Sequence, residues 1–194
     1  MPFSEVQKLL SISNVKISVK VKSKTKAIRR FKERFGYTKE SPSFFVCRIC
    51  KLVFIVYYSG HINVTGIRSH DEINQVLNFL LAVPGIKRIE SYQIDNITSS
   101  GQLSKRVFKS QGVPFAQYLH NDFFVKYFDA VKYTPQHFPG AFLRIEALGT
   151  VVLFSSGKFN IVGCSTPEGI LLILYSFIKC VRRVFNKNYH VQRF

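Results

Sequence analysis

The sequence is poor in acidic residues and has no tryptophan. It carries 11 Asp and Glu against 28 Lys and Arg, which gives a formal net charge of +17. Such an excess of positive charge favours a polyanionic partner. Because 46% of the residues are hydrophobic and 14% are aromatic, the chain is too apolar to be a disordered basic tail. The composition therefore predicts a folded basic protein.

Long apolar runs are also missing. The longest one, Gly169 to Ile178, is shorter than the roughly 20 residues that a membrane span requires. The N-terminal residues MPFSEVQKLL do not combine a basic region with a long apolar run, as a secretory signal would. We therefore expect no membrane partner and a location inside the cell.

Cysteine is scarce, and only Cys47 and Cys50 have a spacing found in metal or redox sites. They lie in the apolar run FFVCRICKLVFIV, where two small strand residues are the favoured interpretation. The acidic residues are scattered apart from Asp71 and Glu72, and no glycine-rich phosphate loop or zinc-type histidine pair occurs. We expect no catalytic residues, no metal and no cofactor.

The chain contains an internal duplication, which fixes its architecture. Residues 48–66 (RICKLVFIVYYSGHINVTG) and residues 144–163 (RIEALGTVVLFSSGKFNIVG) share Arg-Ile at the start and the pattern S-G-x-x-N-x-x-G at the end. A weaker match relates ISNV at 12–15 to IDNI at 94–97. The sequence predicts a first repeat over residues 1–90, a second over 91–185 with an insertion at about 103–121, and a basic tail over 186–194.

Each repeat is predicted to contain strands and helices in the same order. Apolar residues alternate with polar ones from Asn14 to Lys22, which is typical of a strand, and helical spacing follows from Thr25 to Phe35 with Gly36 as a C-cap. The remaining predicted elements are strands at Ser43–Lys51, Leu52–Tyr58 and His61–Gly66, a helix after the capping box Ser69–Glu72, and a last helix opened by Thr166 and Pro167.

These elements predict the α+β class, with one antiparallel sheet that helices cover on one side. Parity places Asn14, Lys16, Ser18 and Lys20 of the first strand on the uncovered side. We expect the same side to expose four apolar residues, Ile55, Tyr57, Val152 and Phe154. Apolar residues among charges favour an interaction surface over a merely solvated one.

The sequence resembles the TATA-binding protein family over about residues 10–184. The most specific match is YTPQHFPG at 133–140, followed by Arg144 and by LFSSGK at 153–158. The resemblance implies a saddle of two quasi-symmetric repeats, with one curved sheet and helices on its convex face. It also implies a transcription initiation factor that binds and bends duplex DNA through the minor groove at promoters.

The resemblance also implies a set of DNA-binding residues on the concave face. Asn14 and Asn96 would donate to minor-groove acceptors, which A·T pairs present in either direction. Phe138 and Phe154 are placed to lie side by side on adjacent strands and wedge one base step, supported by Pro139, and Pro42 and Tyr57 hold the wedge positions of the first repeat. The other predicted contacts are Arg48, Arg144 and Lys158 to phosphates, and Lys16, Ile55, Asn63, Thr65, Thr98, Val152, Asn160 and Val162 to the groove.

Several positions depart from the family pattern, which favours a divergent, viral or protist member. Thr134, Gln136 and His137 replace the acidic segment that recruits transcription factor IIB. The implied partners are double-stranded DNA, a transcription-factor-IIB-like protein and RNA polymerase, with the protein acting as a monomer on DNA. Its expected location is the nucleus, or a cytoplasmic viral factory if the chain is viral. The alternative hypothesis is a nucleic-acid-binding module without promoter specificity, for example on RNA/DNA hybrids.

Overall fold

A computed structural model describes residues 9–23, 25–103, 128, 130–145 and 148–185. The chain divides into two compact units, Ser13–Asn96 and Met1–Ile12 with Ile97–Phe194, which we name the N-terminal unit and the C-terminal unit. Apart from Leu103, the predicted insertion at 103–121 lies outside the described residues, and so does the predicted tail at 186–194. The predicted repeat boundaries therefore stay a prediction.

The described residues form strands and helices in the order that the sequence predicts. The helix at Thr25–Phe35 has the predicted ends, and Gly36 follows it with a φ of +69°, as a C-cap glycine does. The elements are β1 (Ser11–Ser23), α1 (Thr25–Phe35), β2 (Lys39–Glu40), β3 (Phe44–Ile49), β4 (Leu52–Tyr57), β5 (His61–Ile67), α2 (His70–Leu81), β6 (Ile86–Gln102), β7 (Ala130–Lys132), β8 (Gly140–Ile145), β9 (Gly149–Phe154), β10 (Lys158–Cys164) and α3 (Pro167–Phe185).

The strands of the N-terminal unit are hydrogen-bonded in the order β2-β3-β4-β5-β1, and those of the C-terminal unit in the order β6-β10-β9-β8-β7. Both units use the same antiparallel register, because Arg48 pairs with Val53 as Arg144 pairs with Thr150. The shared register agrees with the duplication that the sequence predicts. The ladder also sets which side chains are neighbours on each face.

Helices cover one face of the strands in each unit. In the N-terminal unit the ring of Phe31 on α1 lies 6.2 Å from that of Phe45 on β3 and 6.0 Å from that of Phe54 on β4. In the C-terminal unit the Phe159 and Phe177 rings are 4.9 Å apart, which joins β10 to α3. Burying one such phenylalanine contributes about 1.5–3 kcal/mol, so these rings anchor the helices to the sheet.

The predicted helix caps are present, with one difference. Ser69 Oγ accepts from the backbone N–H of Glu72 at 3.2 Å, and Thr166 Oγ1 accepts from that of Gly169 at 3.1 Å. The Glu72 carboxylate accepts from the backbone N–H of Arg68 at 3.0 Å, one residue before the partner expected in a capping box. Both helices still begin where the sequence predicts.

Cys47 and Cys50 lie in different environments. Cys47 is buried in β3, where burial raises the pKa of its thiol to about 11. Cys50 is exposed in the turn that follows, with a φ of +52°. The prediction of two strand residues is therefore right for Cys47 and wrong for Cys50. Within the described ranges, no cluster of His, Cys, Asp and Glu could hold a metal ion, and no helix is long and apolar enough to cross a membrane.

Candidate nucleic-acid interface

Each unit has one sheet face whose side chains are partly exposed. On β1, Val15, Ile17 and Val19 are at most 1% exposed, whereas the residues between them reach solvent, which confirms the predicted parity. We define the N-terminal open face by the side chains that alternate with buried ones: Asn14, Lys16, Ser18, Lys20, Phe44, Val46, Arg48, Val53, Ile55, Tyr57, His61, Asn63, Thr65 and Asn96.

The C-terminal open face is built in the same way on β6, β8, β9 and β10. The turn before β8 adds two exposed residues to it, Phe138 and Pro139. Its remaining members are Thr98, Ser100, Phe142, Arg144, Thr150, Val152, Phe154, Lys158, Asn160 and Val162. All the predicted DNA-binding residues except Pro42, which lies in the exposed turn before β3, therefore belong to one of these two faces.

Three phenylalanine rings cluster on the C-terminal open face. The ring centroid of Phe138 lies 6.0 Å from that of Phe154 and 5.2 Å from that of Phe142. Phe138 and Phe142 are each 38% exposed, so neither is an ordinary core residue. Exposed rings this close can stack on a base or enter a base step together.

Phe138 reaches this cluster from a turn, which corrects the expectation that it lies on a strand. The backbone N–H groups of His137 and Phe138 both donate to the Thr134 carbonyl, at 2.9 and 3.0 Å. These two bonds close the turn before β8 begins at Gly140. The pairing of Phe138 with Phe154 is as predicted, but it is set by the turn.

Gly140 provides the space that the rings occupy. A Cβ atom at this position would lie 2.7 Å from Phe138 Cε1, 2.8 Å from Val152 Cγ1 and 3.1 Å from Phe154 Cε1. Real Cβ atoms essentially never show contacts under 3.0 Å, as the first two would be, and the third is tighter than nine in ten real contacts. The glycine is therefore required here by the close approach of the rings, since its φ is not positive.

Two features of this cluster differ from what the sequence predicts. Phe142 was missed, although it shares the parity of Gly140 and Arg144 along β8. Val152 was expected to be exposed, but it is only 6% exposed. It pairs with Phe142 on one side and Asn160 on the other, so a phenylalanine and an asparagine flank it on the same face.

The N-terminal open face has an aromatic pair of different construction. The Phe44 and Tyr57 rings lie 5.5 Å apart, and the two residues are cross-strand partners. Phe44 pairs with Tyr57 as Gly140 pairs with Phe154, so Phe44 occupies the position that Gly140 has in the other repeat. Pro42 and Tyr57 were predicted to hold the wedge positions of this repeat. Phe44 was not predicted, although alignment of the two repeats by Arg48 and Arg144 could have found it.

Asn14 is held in one orientation by two donors. Its Oδ1 accepts from Thr65 Oγ1 at 2.9 Å and from the backbone N–H of Gly66 at 2.7 Å. A backbone N–H can only donate, so the atom facing it is the oxygen. The Nδ2 group then keeps both of its hydrogens for another acceptor, and no described residue takes them. The other predicted amide, Asn96, is half-buried on β6.

The predicted phosphate ligands and Lys16 are arranged differently. Arg48, Arg144 and Lys158 are exposed. Lys158 is the first residue of β10, and Arg48 and Arg144 are the second-last residues of β3 and β8. Lys16 Nζ lies 3.2 Å from Asp95 Oδ2, so its charge is paired within the protein. Asp95 was not predicted to take part in the interface, although it belongs to the matched stretch at 94–97.

A basic antiparallel sheet of two repeats, with exposed rings and amide donors, is typical of proteins that contact DNA with a sheet. Comparisons with known proteins agree. The sequence profile described as "Transcription factor TFIID (or TATA-binding protein, TBP)" matches residues 119–184. TATA-box-binding protein 2 of Methanosarcina mazei is 31% identical over 140 residues, which span 68% of this chain and 71% of the relative.

Two further similarities cover more of the chain. The TATA-box-binding protein of Methanothrix thermoacetophila is 26% identical over 174 residues, 84% of this chain and 90% of the relative. The solved structure of Methanococcus jannaschii TBP superimposes with a TM-score of 0.69 at 19% identity, and the match covers 90% of this chain and 98% of that one. The chain belongs to the TATA-binding protein family, whose members are non-enzymatic DNA-binding factors of transcription initiation. The predicted family and the predicted α+β fold are thereby confirmed.

Proposed function

We propose that this protein binds and bends duplex DNA through the minor groove at promoters. The observation that carries the proposal is the pair of rings of Phe138 and Phe154, which lie 6.0 Å apart above Gly140. Inserting such a pair into a base step unstacks the step and kinks the duplex, and the bend then lets more protein surface reach the DNA. Phe142 extends the apolar surface behind Phe138.

The orientation of Asn14 supports recognition of the minor groove. Its Oδ1 is occupied by Thr65 and Gly66, so its Nδ2 is the group left to meet DNA. Adenine N3 and thymine O2 are acceptors at nearly the same place in the groove, so an amide donor accepts A·T and T·A alike. At this residue the face therefore distinguishes A·T pairs from G·C pairs.

Exposed cations supply the affinity. Arg48 on the N-terminal open face and Arg144 and Lys158 on the C-terminal open face would each neutralise a phosphate. Each neutralised phosphate releases counterions, so log affinity falls with log salt by about 0.9 per contact on B-form DNA. Three such contacts predict a salt slope of about −3 from these residues.

Bending is tested by energy transfer between dyes on the two ends of a duplex. Wild-type protein should shorten the end-to-end distance of an A·T-rich duplex, more than that of a G·C-rich one, over a salt series. Because stacking on an aromatic side chain is worth about 1–3 kcal/mol per base, the double change of Phe138 and Phe154 to Ala should weaken duplex binding by about tenfold or more and reduce the bend.

A matched control removes an exposed aromatic ring elsewhere. Tyr175 on α3 is 63% exposed, so Tyr175→Ala deletes a solvent-exposed ring without touching the open faces. It should bind and bend DNA as the wild type does. Equal losses on single strands and duplex for the double variant would remove wedging from the mechanism.

The second candidate is a nucleic-acid-binding module without promoter specificity. The ion pair between Lys16 and Asp95 favours this alternative, because the pair places a carboxylate beside a face that would meet an anionic ligand. Salt-dependent binding of duplex or RNA/DNA hybrid without bending would establish this alternative.

Under the first proposal, a transcription-factor-IIB-like protein and RNA polymerase would join the protein at the promoter, and a nuclear location stays a prediction.

A further inference from the structure

A carboxylate, Asp95, lies against Lys16 and Ser18 of the N-terminal open face, at a place where DNA offers mainly negative charge. Its side chain is 19% exposed and lies 3.2 Å from Lys16 Nζ. Backbone phosphates and the acceptors of A·T pairs would both repel it. A ligand group that contacts this carboxylate must therefore donate a hydrogen bond to it.

Asp95 is held in place by three donors. Ser18 Oγ and Lys16 Nζ contact Oδ2, at 2.5 and 3.2 Å, and Gln93 Nε2 donates to Oδ1 at 3.0 Å. Partial burial acts to raise the pKa of the carboxyl group, but the bonds from Ser18, Gln93 and Lys16 outweigh it and the pKa lies below its usual value. The group is thus an ionised, oriented acceptor with room for about one more hydrogen bond, because a carboxylate accepts about four and three are made within the protein.

Asn63 adds a second acceptor to the same cluster. Ser18 Oγ lies 2.9 Å from Asn63 Oδ1 as well as 2.5 Å from Asp95 Oδ2. A hydroxyl has one proton, so it can donate to one of these oxygens only. The shorter contact and the charge of Asp95 favour the carboxylate. Together Ser18, Asn63 and Asp95 have about eight acceptor sites and only three donor hydrogens, in either orientation of the Asn63 amide.

The floor of the minor groove offers one donor among the four standard bases, the 2-amino group of guanine. We propose that Asn63 and Asp95 accept a hydrogen bond from that amino group, so that the N-terminal unit recognises a G·C pair within an otherwise A·T-rich site. The inference rests on the proposed function and names the base pair that one part of the same surface selects. Asn14, with its free Nδ2, would still read A·T pairs.

The C-terminal unit has a different arrangement at the matching positions. Asn160 pairs with Ser100 across β10 and β6, as Asn63 pairs with Ser18 across β5 and β1. There, however, Ser100 Oγ donates to the backbone carbonyl of Ser11 at 3.4 Å. In the repeat match between 12–15 and 94–97, Ser13 is the residue equivalent to Asp95. The guanine contact therefore belongs to one repeat only, and the recognised DNA sequence has a direction.

Base analogues test the inference with the wild-type protein alone. A single G·C pair is moved through an A·T duplex, and each version is compared with one carrying inosine in place of guanine, which lacks the 2-amino group. At one position guanine should bind about tenfold tighter than inosine, as expected for a hydrogen bond to a charged acceptor. At that position 2,6-diaminopurine paired with thymine should bind as tightly as guanine, because it carries the same amino group.

Two variants assign the effect to the cluster. Asp95→Ser introduces the side chain found at position 13 and should abolish the preference for guanine over inosine. Glu90→Gln is the matched control, because it removes the same charge and releases Lys20, which lies 3.6 Å from Glu90. The control should keep the tenfold preference, even if both variants bind all duplexes more tightly through the freed lysine.

The outcomes separate this inference from the proposed function. Duplex binding with inosine equal to or better than guanine at every position would overturn the guanine contact and leave minor-groove binding standing. A preference that survives in Asp95→Ser would overturn the role of the carboxylate. Absence of any duplex binding would overturn the proposed function and the inference together.

Discussion

Changing Gly140 to Ala tests whether the aromatic cluster depends on the space that this residue leaves. The added methyl group would lie 2.7 Å from Phe138 Cε1 and 2.8 Å from Val152 Cγ1. Phe138 is 38% exposed and can move outward, but Val152 is buried at 6% exposure and cannot. We therefore expect the Phe138 ring to leave its place beside Phe154.

The expected stability change combines two opposing terms. Overpacking costs about 1–3 kcal/mol, whereas replacing glycine by alanine at an ordinary φ stabilises the protein by about 0.4–1 kcal/mol through the unfolded chain. The net loss is about 0.5–2 kcal/mol, and at about 2–4 °C per kcal/mol for a protein of this size the Tm should fall by about 1–8 °C. Bending of the A·T-rich duplex should fall in parallel.

Gly36→Ala separates lost stability from lost bending. Gly36 has a φ of +69° with nothing within 4 Å of its Cβ position, so alanine there strains the backbone without crowding any side chain. It should lower the Tm by a similar amount and leave DNA bending unchanged. An unchanged Tm and an unchanged bend in Gly140→Ala would refute the reasoning, because the rings would then not need the glycine.

Three further substitutions have expected outcomes. Asn14→Ala removes the acceptor used by Thr65 and Gly66; it should lower the free energy of unfolding in urea by about 1–2 kcal/mol and flatten the A·T preference while the salt slope of binding stays the same. Ser99 is fully buried, and its Oγ has no hydrogen-bond partner in the described part of the chain; Ser99→Ala should raise the free energy of unfolding by about 1 kcal/mol, and a decrease would show that the hydroxyl has a partner. Cys50→Gly relieves the left-handed φ of +52° and should raise the Tm of thermal unfolding by a few degrees, since that conformation costs a residue with a side chain about 1–2 kcal/mol.

The faces of the strands could be predicted because the side-chain period of a strand is two residues. The alternation from Val15 to Val21 identified the buried face of β1, and the repeat in the sequence reappears as a shared register in β3–β4 and β8–β9. The resemblance supplied the pairing of Phe138 with Phe154. These parts of the interface depend on local periodicity or on a specific motif, so they can be predicted from a single sequence.

The remaining parts depend on contacts between strands that periodicity does not encode. Parity placed Val152 on the open face, but its burial depends on its neighbours there, which include the cross-strand partners Phe142 and Asn160. The cluster of Ser18, Asn63 and Asp95 brings together three strands, and its hydrogen bonds follow from the register of β1 with β5 and from the course of β6. A residue's neighbours across a ladder are known only once the register is known.

The two repeats differ at positions where their open faces would touch bases. In the C-terminal unit a ring from a turn, Phe138, lies above Gly140, whereas in the N-terminal unit Phe44 occupies the matching strand position. The Asp95 cluster has no carboxylate counterpart at Ser13. A protein with two identical faces would bind any site with equal affinity in the two directions. Each tenfold preference of one face for a base pair adds about 1.4 kcal/mol to the difference between the two directions. Divergence of a duplicated sheet is therefore sufficient to give a minor-groove-binding protein a preferred orientation on its DNA.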